Sequence, residues 1–148
     1  MKQKPTNDEK TGNPSYVLDE QVGYVLRRVT QRHLAIFSEI IPEVTTTQFA
    51  VLARLSQMGA LSQNHLGRAT AMDAATIKGV VDRLARQGYV TTTPNTQDRR
   101  RLNVELTPKG VGMVKDRMSD GVRVSDKTLE PLSAEERAQF LALLTRLS

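Results

Sequence analysis

Asp73-Ala74-Ala75-Thr76-Ile77-Lys78-Gly79-Val80-Val81-Asp82-Arg83-Leu84-Ala85-Arg86-Gln87-Gly88, then Tyr89-Val90-Thr91-Thr92-Thr93 and, past a turn, Leu102-Asn103-Val104-Glu105-Leu106, is the stretch on which the fold turns. Asp73 is a helix cap, since a short carboxylate can accept from the unpaired N–H groups of a first helical turn. Ile77, Val80, Val81 and Leu84 recur at three-to-four spacing and predict one buried face. Thr76, Lys78, Asp82, Arg83 and Arg86 fall outside that face, and Gly88 closes the helix. The period then switches from helical to alternating. The β-branched run predicts one strand, Pro94-Asn95-Thr96-Gln97-Asp98 is turn chemistry, and Leu102 to Leu106 returns as a second strand. Arg99, Arg100 and Arg101 stand at the tip between them.

Toward the N-terminus, Ser62 caps a short helix from Gln63 to about Ala69. Before it, Thr45-Thr46-Thr47-Gln48 is a capping box opening a helix with Phe49, Leu52 and Leu55 inward, which Gly59 ends. Helix, short helix, turn, helix and arginine-tipped hairpin is the order of a winged helix–turn–helix. The second helix of such a pair offers polar side chains to base edges in the major groove. An arginine-tipped hairpin suits the narrow minor groove, where the negative potential attracts guanidinium groups.

The flanks read as long helices. From Tyr16 to about Ile41, Leu18, Val22, Val25, Val29, Ile36 and Ile40 form a stripe that Leu26, His33, Phe37 and Ile41 widen, and Pro42 ends it. So wide an apolar face in a small protein points to a subunit interface. Thr107-Pro108 opens a polar helix to about Thr128, and Pro131 separates it from a last helix capped by Ser133-x-x-Glu136. Phe140, Leu141, Leu144 and Leu147 stripe that last helix. The expected fold is therefore mainly α: a winged helix–turn–helix with a two-stranded wing and long flanking dimerisation helices. Residues 1–14 read as a disordered arm and 15–148 as one domain, with the DNA-binding unit at about 45–107 and dimerisation helices at about 16–41 and 108–148.

Composition narrows the function classes. The 148 residues include no Cys, which removes disulfides, thiolate zinc sites and thiol nucleophiles. Two His, at 33 and 65, make a structural zinc site a poor fit, and no metal or cofactor is expected. The longest apolar runs are five residues, far too short to span a bilayer, so no membrane partner and a cytoplasmic location are expected. Residues 43–110 hold nine basic and five acidic residues, which places four of the five net positive charges in the middle segment. That distribution suits a polyanion-binding unit between neutral flanks. Ser62 and His65 do not make a nucleophile pair, because a capping Ser is engaged with backbone N–H groups and no third residue orients the His. No phosphate-cradling glycine loop is present, and the expectation is that the protein is not an enzyme.

The sequence resembles the MarR family of bacterial transcriptional regulators from about Tyr16 onward. The matching stretches are Thr46-Thr47-Gln48-Phe49-Ala50-Val51-Leu52, Asp73 to Ile77, Val81-Asp82-Arg83-Leu84, Gly88-Tyr89-Val90, Asp98-Arg99-Arg100-Arg101 and Leu106-Thr107-Pro108-Lys109-Gly110. The resemblance implies a two-fold dimer binding double-stranded, pseudo-palindromic operator DNA. It implies that Arg100 enters the minor groove with Asp98 orienting it, flanked by Arg99 and Arg101. It likewise implies contacts from Thr76 and Lys78 in the major groove behind Asp73, wing support from Arg83, and a phosphate near Ser62. Asp98 also has a simpler reading as a turn residue.

Leu26 to Phe37, with Met72 to Gly79, looks like a subgroup that includes repressors of nicotinate degradation, which implies a hydroxylated nicotinate as effector. Tyr24, Arg28 and His33 lie within about two and a half turns of the first helix and are the candidate contacts to a small aromatic carboxylate. His33 has a second reading as a hydrogen-bonded core residue, and Arg27 as part of a solvated face. The expected function is a dimeric repressor of a catabolic operon released by a small aromatic acid. An architectural DNA binder without an effector, an enzyme and a winged-helix protein-interaction module are the competing classes.

Overall fold

A computed structural model describes residues 15–148, so the arm expected over 1–14 lies outside the described residues. After one 3-10 turn at Leu18–Glu20 the chain forms α1 (Val22–Ile40), α2 (Thr46–Met58), β1 (Leu61–Ser62), α3 (Gln63–Ala69) and α4 (Ala74–Arg86). It continues as β2 (Val90–Pro94), β3 (Leu102–Leu106), α5 (Pro108–Thr128) and α6 (Ala134–Arg146). Five helices start as the sequence predicts. The side chains of Thr45, Ser62, Asp73, Thr107 and Ser133 each accept from the backbone N–H three residues on. Each such cap stabilises its helix by about 1 kcal/mol.

The wing has the two strands expected, β2 and β3, and β1 adds a third strand on the far edge of β3, giving an antiparallel sheet of order β1-β3-β2. Leu61 pairs with Val104 and Ser62 with Asn103. The residues leading into the Ser62 cap are already extended, and the open edge of β3 satisfies their backbone groups. The first helix starts later than expected: Gln21 is extended, at φ −86° and ψ 128°, and separates the 3-10 turn from α1. Leu18 and Val22 are exposed, so among the described residues no burial holds that first turn in α-helical register.

The closed core lies in the middle of the chain. Val51, Leu52 and Leu55 of α2, Leu66 of α3, Ile77, Val81 and Leu84 of α4 and Val104 of β3 are almost wholly buried. Each large aliphatic side chain so buried contributes about 1.5–3 kcal/mol. Ile41, Phe37 and Val44 join the end of α1 to this core, and Phe37 meets Phe49 edge-on at 5.9 Å. Met113, Val114 and Val124 bring α5 onto it. The outer helices differ. No residue of α6 is buried, and Val22, Val25, Leu26 and Val29 of α1 stand exposed with Leu141 and Leu143 of α6 and Leu147 just past its end. Among the described residues no helix is long and apolar enough to cross a membrane.

Candidate DNA interface and effector site

Helix α4, the candidate reading helix, is built as its periodicity requires. Ile77, Val80, Val81 and Leu84 seat α4 on the core, and Thr76, Lys78, Asp82, Arg83 and Arg86 face outward. Asp73 is engaged in capping: its Oδ1 accepts from the Thr76 N–H at 2.7 Å, and that bond holds its carboxyl below the usual carboxylate range. A carboxylate at the positive end of a helix is favourable as well. Lys78 Nζ rests on Asp82 Oδ2 at 2.9 Å, one turn away and exposed, so the pair can exchange for a phosphate at little cost. Arg83 forms no ion pair among the described residues, and the wing support that the resemblance implied for it is not seen.

The wing's Asp98 acts differently from the implied pairing with the Arg100 side chain. Its Oδ1 accepts from the Arg100 backbone N–H at 3.0 Å, and its Oδ2 lies 3.6 Å from Arg101 Nε. The Arg100 guanidinium is thus left out of Asp98's carboxylate. Arg100 and Arg101 border a small cavity of about 70 Å³ with Ser62, Gln63, Asn64 and Leu102. Ser62 caps α3 through the His65 N–H at 3.2 Å. The β1–β3 pairing therefore brings the root of the wing beside the start of α3, and Gln63 and Asn64 join the basic surface. Only the third strand reveals this, and its two residues carry no strand signal of their own.

The wing and α4 are held to α5 by the segment around Pro108. Thr107 Oγ1 donates to the Gly88 carbonyl at 2.6 Å, and Lys109 Nζ donates to the Gln87 carbonyl at 2.7 Å. Lys109 also lies 4.8 Å from the centre of the Tyr89 ring. On the opposite side, Arg117 of α5 pairs with Glu43 in the α1–α2 joint and with Asp120 at 2.9 Å. The Arg117 guanidinium holds the Glu43 carboxyl below its usual range, and Asp120, followed by Glu43, raises Arg117 in turn.

The three candidate effector contacts do not converge within one chain. Arg28 stacks over the Tyr24 ring at 5.9 Å and lies 4.0 Å from Asp19. His33, nine residues from Tyr24, is on the opposite face of α1. There it borders an apolar groove of about 490 Å³ between α1, α5 and α6. His33 Nδ1 is 2.8 Å from Thr128 Oγ1, whose own proton goes to the Val124 carbonyl at 2.9 Å. The hydroxyl then accepts from His33, which places a proton on Nδ1. Arg32, between these residues, caps the end of α5 by donating to the Thr128 and Lys127 carbonyls at 2.6 and 3.1 Å. The cation sits at the negative end of that helix. Sequence reading missed Thr128 and this use of Arg32, because the partners are 95 residues apart or more.

Comparison with known proteins agrees with this geometry. The family model described as the MarR family matches residues 44–102, the segment from the α1–α2 joint to the start of β3. The chain is 39% identical over 137 residues to the HTH-type transcriptional repressor NicR of Pseudomonas putida, covering 91% of this chain and 87% of that one. It is similar to the crystal structure of a probable transcriptional regulator from Pseudomonas aeruginosa, with TM-score 0.86 and 42% identity, covering 89% of this chain and all of the other. It is also similar to BpsR of Bordetella bronchiseptica, whose DNA binding is regulated by 6-hydroxynicotinic acid, with TM-score 0.85 and 37% identity over 90% and 96% of the two chains. A capped reading helix, a wing tied back to the first helix of its pair, and relatives aligned over most of their length lead to one assignment: the chain belongs to the MarR family of transcriptional regulators.

Proposed function

We propose that this protein is a dimeric repressor that leaves a pseudo-palindromic operator when it binds a small aromatic carboxylate of the hydroxynicotinate type. The observation that carries the reading is the division of the chain. A closed core presents α4 and the arginine wing together, while α1 and α6 expose their apolar faces. In this reading residues 45–107 form the DNA-binding unit, and the helices within 16–41 and 108–148 make the dimer. A second copy covers the apolar groove, as expected for exposed apolar surface of this extent on a small protein. Sedimentation at micromolar concentration should give about twice the 16.5 kDa chain mass. A well-folded monomer would contradict the architecture.

On DNA, Thr76 and Lys78 face the major groove, with Asp73 holding the start of their helix. Arg99, Arg100 and Arg101 reach the adjacent minor groove, Ser62 lies near a phosphate, and Arg83 follows along the backbone. Two reading helices in successive grooves require half-sites about 10 bp apart or a small multiple of that.

For the effector, Arg28 is the cation best placed to take a carboxylate, being exposed and held, among the described residues, by Asp19 and the Tyr24 ring. A ligand of one aromatic ring that touches both Tyr24 and His33 takes them from different copies, because they lie on opposite faces of α1. Such a ligand shifts the protein toward release only if it binds the DNA-incompetent arrangement more tightly. The P. putida relative is a repressor, and the B. bronchiseptica relative responds to 6-hydroxynicotinic acid, which supports this choice.

Titration with 6-hydroxynicotinate should raise the melting temperature by several degrees. Ligand at a hundred times its Kd adds about 2.7 kcal/mol to stability. It should also release bound DNA, and Arg28→Ala should lose both responses while still binding DNA. The absence of any melting shift with pyridine or benzene carboxylates at millimolar concentration would remove the effector from the proposal and leave the DNA reading standing.

A further inference from the structure

Among the described residues, the tip of the wing has no apolar packing to order it. Thr96 to Arg101 are all exposed, and Asn95 is the half-buried residue at their root. Order at the tip comes from polar contacts that begin at Asn95. Its backbone N–H donates to the Arg101 carbonyl at 2.8 Å and closes the loop. Its Oδ1 accepts from the Gln97 N–H at 2.9 Å and, more weakly, from the Asp98 N–H at 3.4 Å. Its Nδ2 donates to Asn103 Oδ1 on β3 at 3.4 Å, which sets which way the amide faces. Asp98, placed by these bonds, then accepts from the Arg100 N–H and pairs with Arg101. Two Asx turns run in series, the first anchored in the sheet and the second carrying the arginines.

We propose that Asn95 is a positioning residue for DNA binding, presetting the loop that aims Arg100 and Arg101 without contacting DNA itself. The proposal rests on the wing's entering the DNA interface. Loop residues that are ordered before binding lose less conformational entropy on binding, so presetting appears as affinity. The effect is local, because the ladder from Val90 opposite Leu106 to Pro94 opposite Leu102 lies below Asn95 and keeps its own bonds. The chemistry also distinguishes among replacements. Alanine removes both the acceptor and the donor. Serine keeps a shorter, weaker acceptor for the same N–H groups. Aspartate keeps the acceptor, loses the donor to Asn103, and adds a charge near Asp98.

The test uses the full-length protein and a duplex that the wild type enriches from a random library, with a random-sequence duplex alongside. Asn95→Ala should bind the enriched duplex about five-fold more weakly, the ordering cost of one or two long side chains. Its melting temperature should be unchanged, and trypsin should cut after Arg99, Arg100 or Arg101 several-fold faster in the free protein. Asn95→Ser should recover part of both losses. In an Arg100→Ala/Arg101→Ala background, Asn95→Ala should weaken binding no further. Wild-type affinity for Asn95→Ala, or an equal loss in the arginine-free background, overturns the proposal; the second result would make Asn95 a DNA contact in its own right. If Arg100→Ala/Arg101→Ala binds like wild type, the wing lies outside the interface and the proposal falls with it. If the wild type enriches no duplex at all, the DNA-binding reading fails first, which the same selection shows separately.

Discussion

Gly110→Ala is expected to destabilise the protein by about 3 kcal/mol, the upper end of what forced overpacking costs. A Cβ at Gly110 would lie 2.1 Å from the Tyr89 carbonyl oxygen and 3.1 Å from its carbon, with Leu106 Cδ2 at 3.2 Å. The obstacle is backbone, so no rotamer change relieves it. The same carbonyl accepts from the Thr107 N–H at 3.0 Å, and the Gly110 N–H is itself held by the Thr107 cap at 3.1 Å. Moving Tyr89 aside therefore loosens the start of α5, the end of α4 and the root of the wing together. Gly112, in the same helix, is the control: among the described residues nothing lies within 4 Å of its Cβ position. Gly112→Ala should stabilise by up to about 1 kcal/mol through helix propensity alone. Urea denaturation of the two variants should move the midpoint in opposite directions at similar slope. A shift of similar size and sign in both would refute the close-packing account.

Arg100→Ala should weaken DNA binding by about 1–3 kcal/mol with the fold intact, and should make the salt dependence less steep. The guanidinium is left out of Asp98's carboxylate, so the substitution removes a cation without leaving a partner unpaired. Its loss should thus appear in the complex and not in the melting temperature. Arg101→Ala is the informative companion, because it also breaks the 3.6 Å pair with Asp98. Affinity measured against salt concentration for both variants separates phosphate contacts from sequence reading: a phosphate contact lowers affinity for operator and random duplexes alike. Unchanged affinity for Arg100→Ala would take the wing out of the mechanism.

Much of this was legible along the chain because the forces involved are local. A helix cap needs a side-chain oxygen and an N–H three residues away, so Thr45, Ser62, Asp73, Thr107 and Ser133 could be read one at a time. The buried face of α4 follows from spacing alone, and so does the outward row that contains Thr76 and Lys78. The mismatch between a wide apolar stripe and a small chain points to an unpartnered α1 from the sequence alone. The resemblance to a known family added roles for individual residues. The structure redistributed some of them: Arg83 makes no ion pair among the described residues, and Asp98 turns to Arg101.

What escaped the sequence is what depends on distant partners. Ser62 opposite Asn103, Arg32 on the end of α5, and His33 with Thr128 join residues 41, 95 or 96 positions apart. No local pattern encodes such pairs, since the packing of α1 on α5 and of β1 on β3 creates them. Tyr24, Arg28 and His33 are a different case: nine residues turn His33 half-way round the helix from Tyr24, which the spacing itself implies, and tertiary structure decides only what packs on each side. The sequence by itself determined the elements, their caps and the faces they bury, because neighbours in the chain supply those interactions. Tertiary structure alone decided which polar groups far apart in the chain meet, because hydrogen bonds at about 3 Å between them depend on how helices and strands are packed.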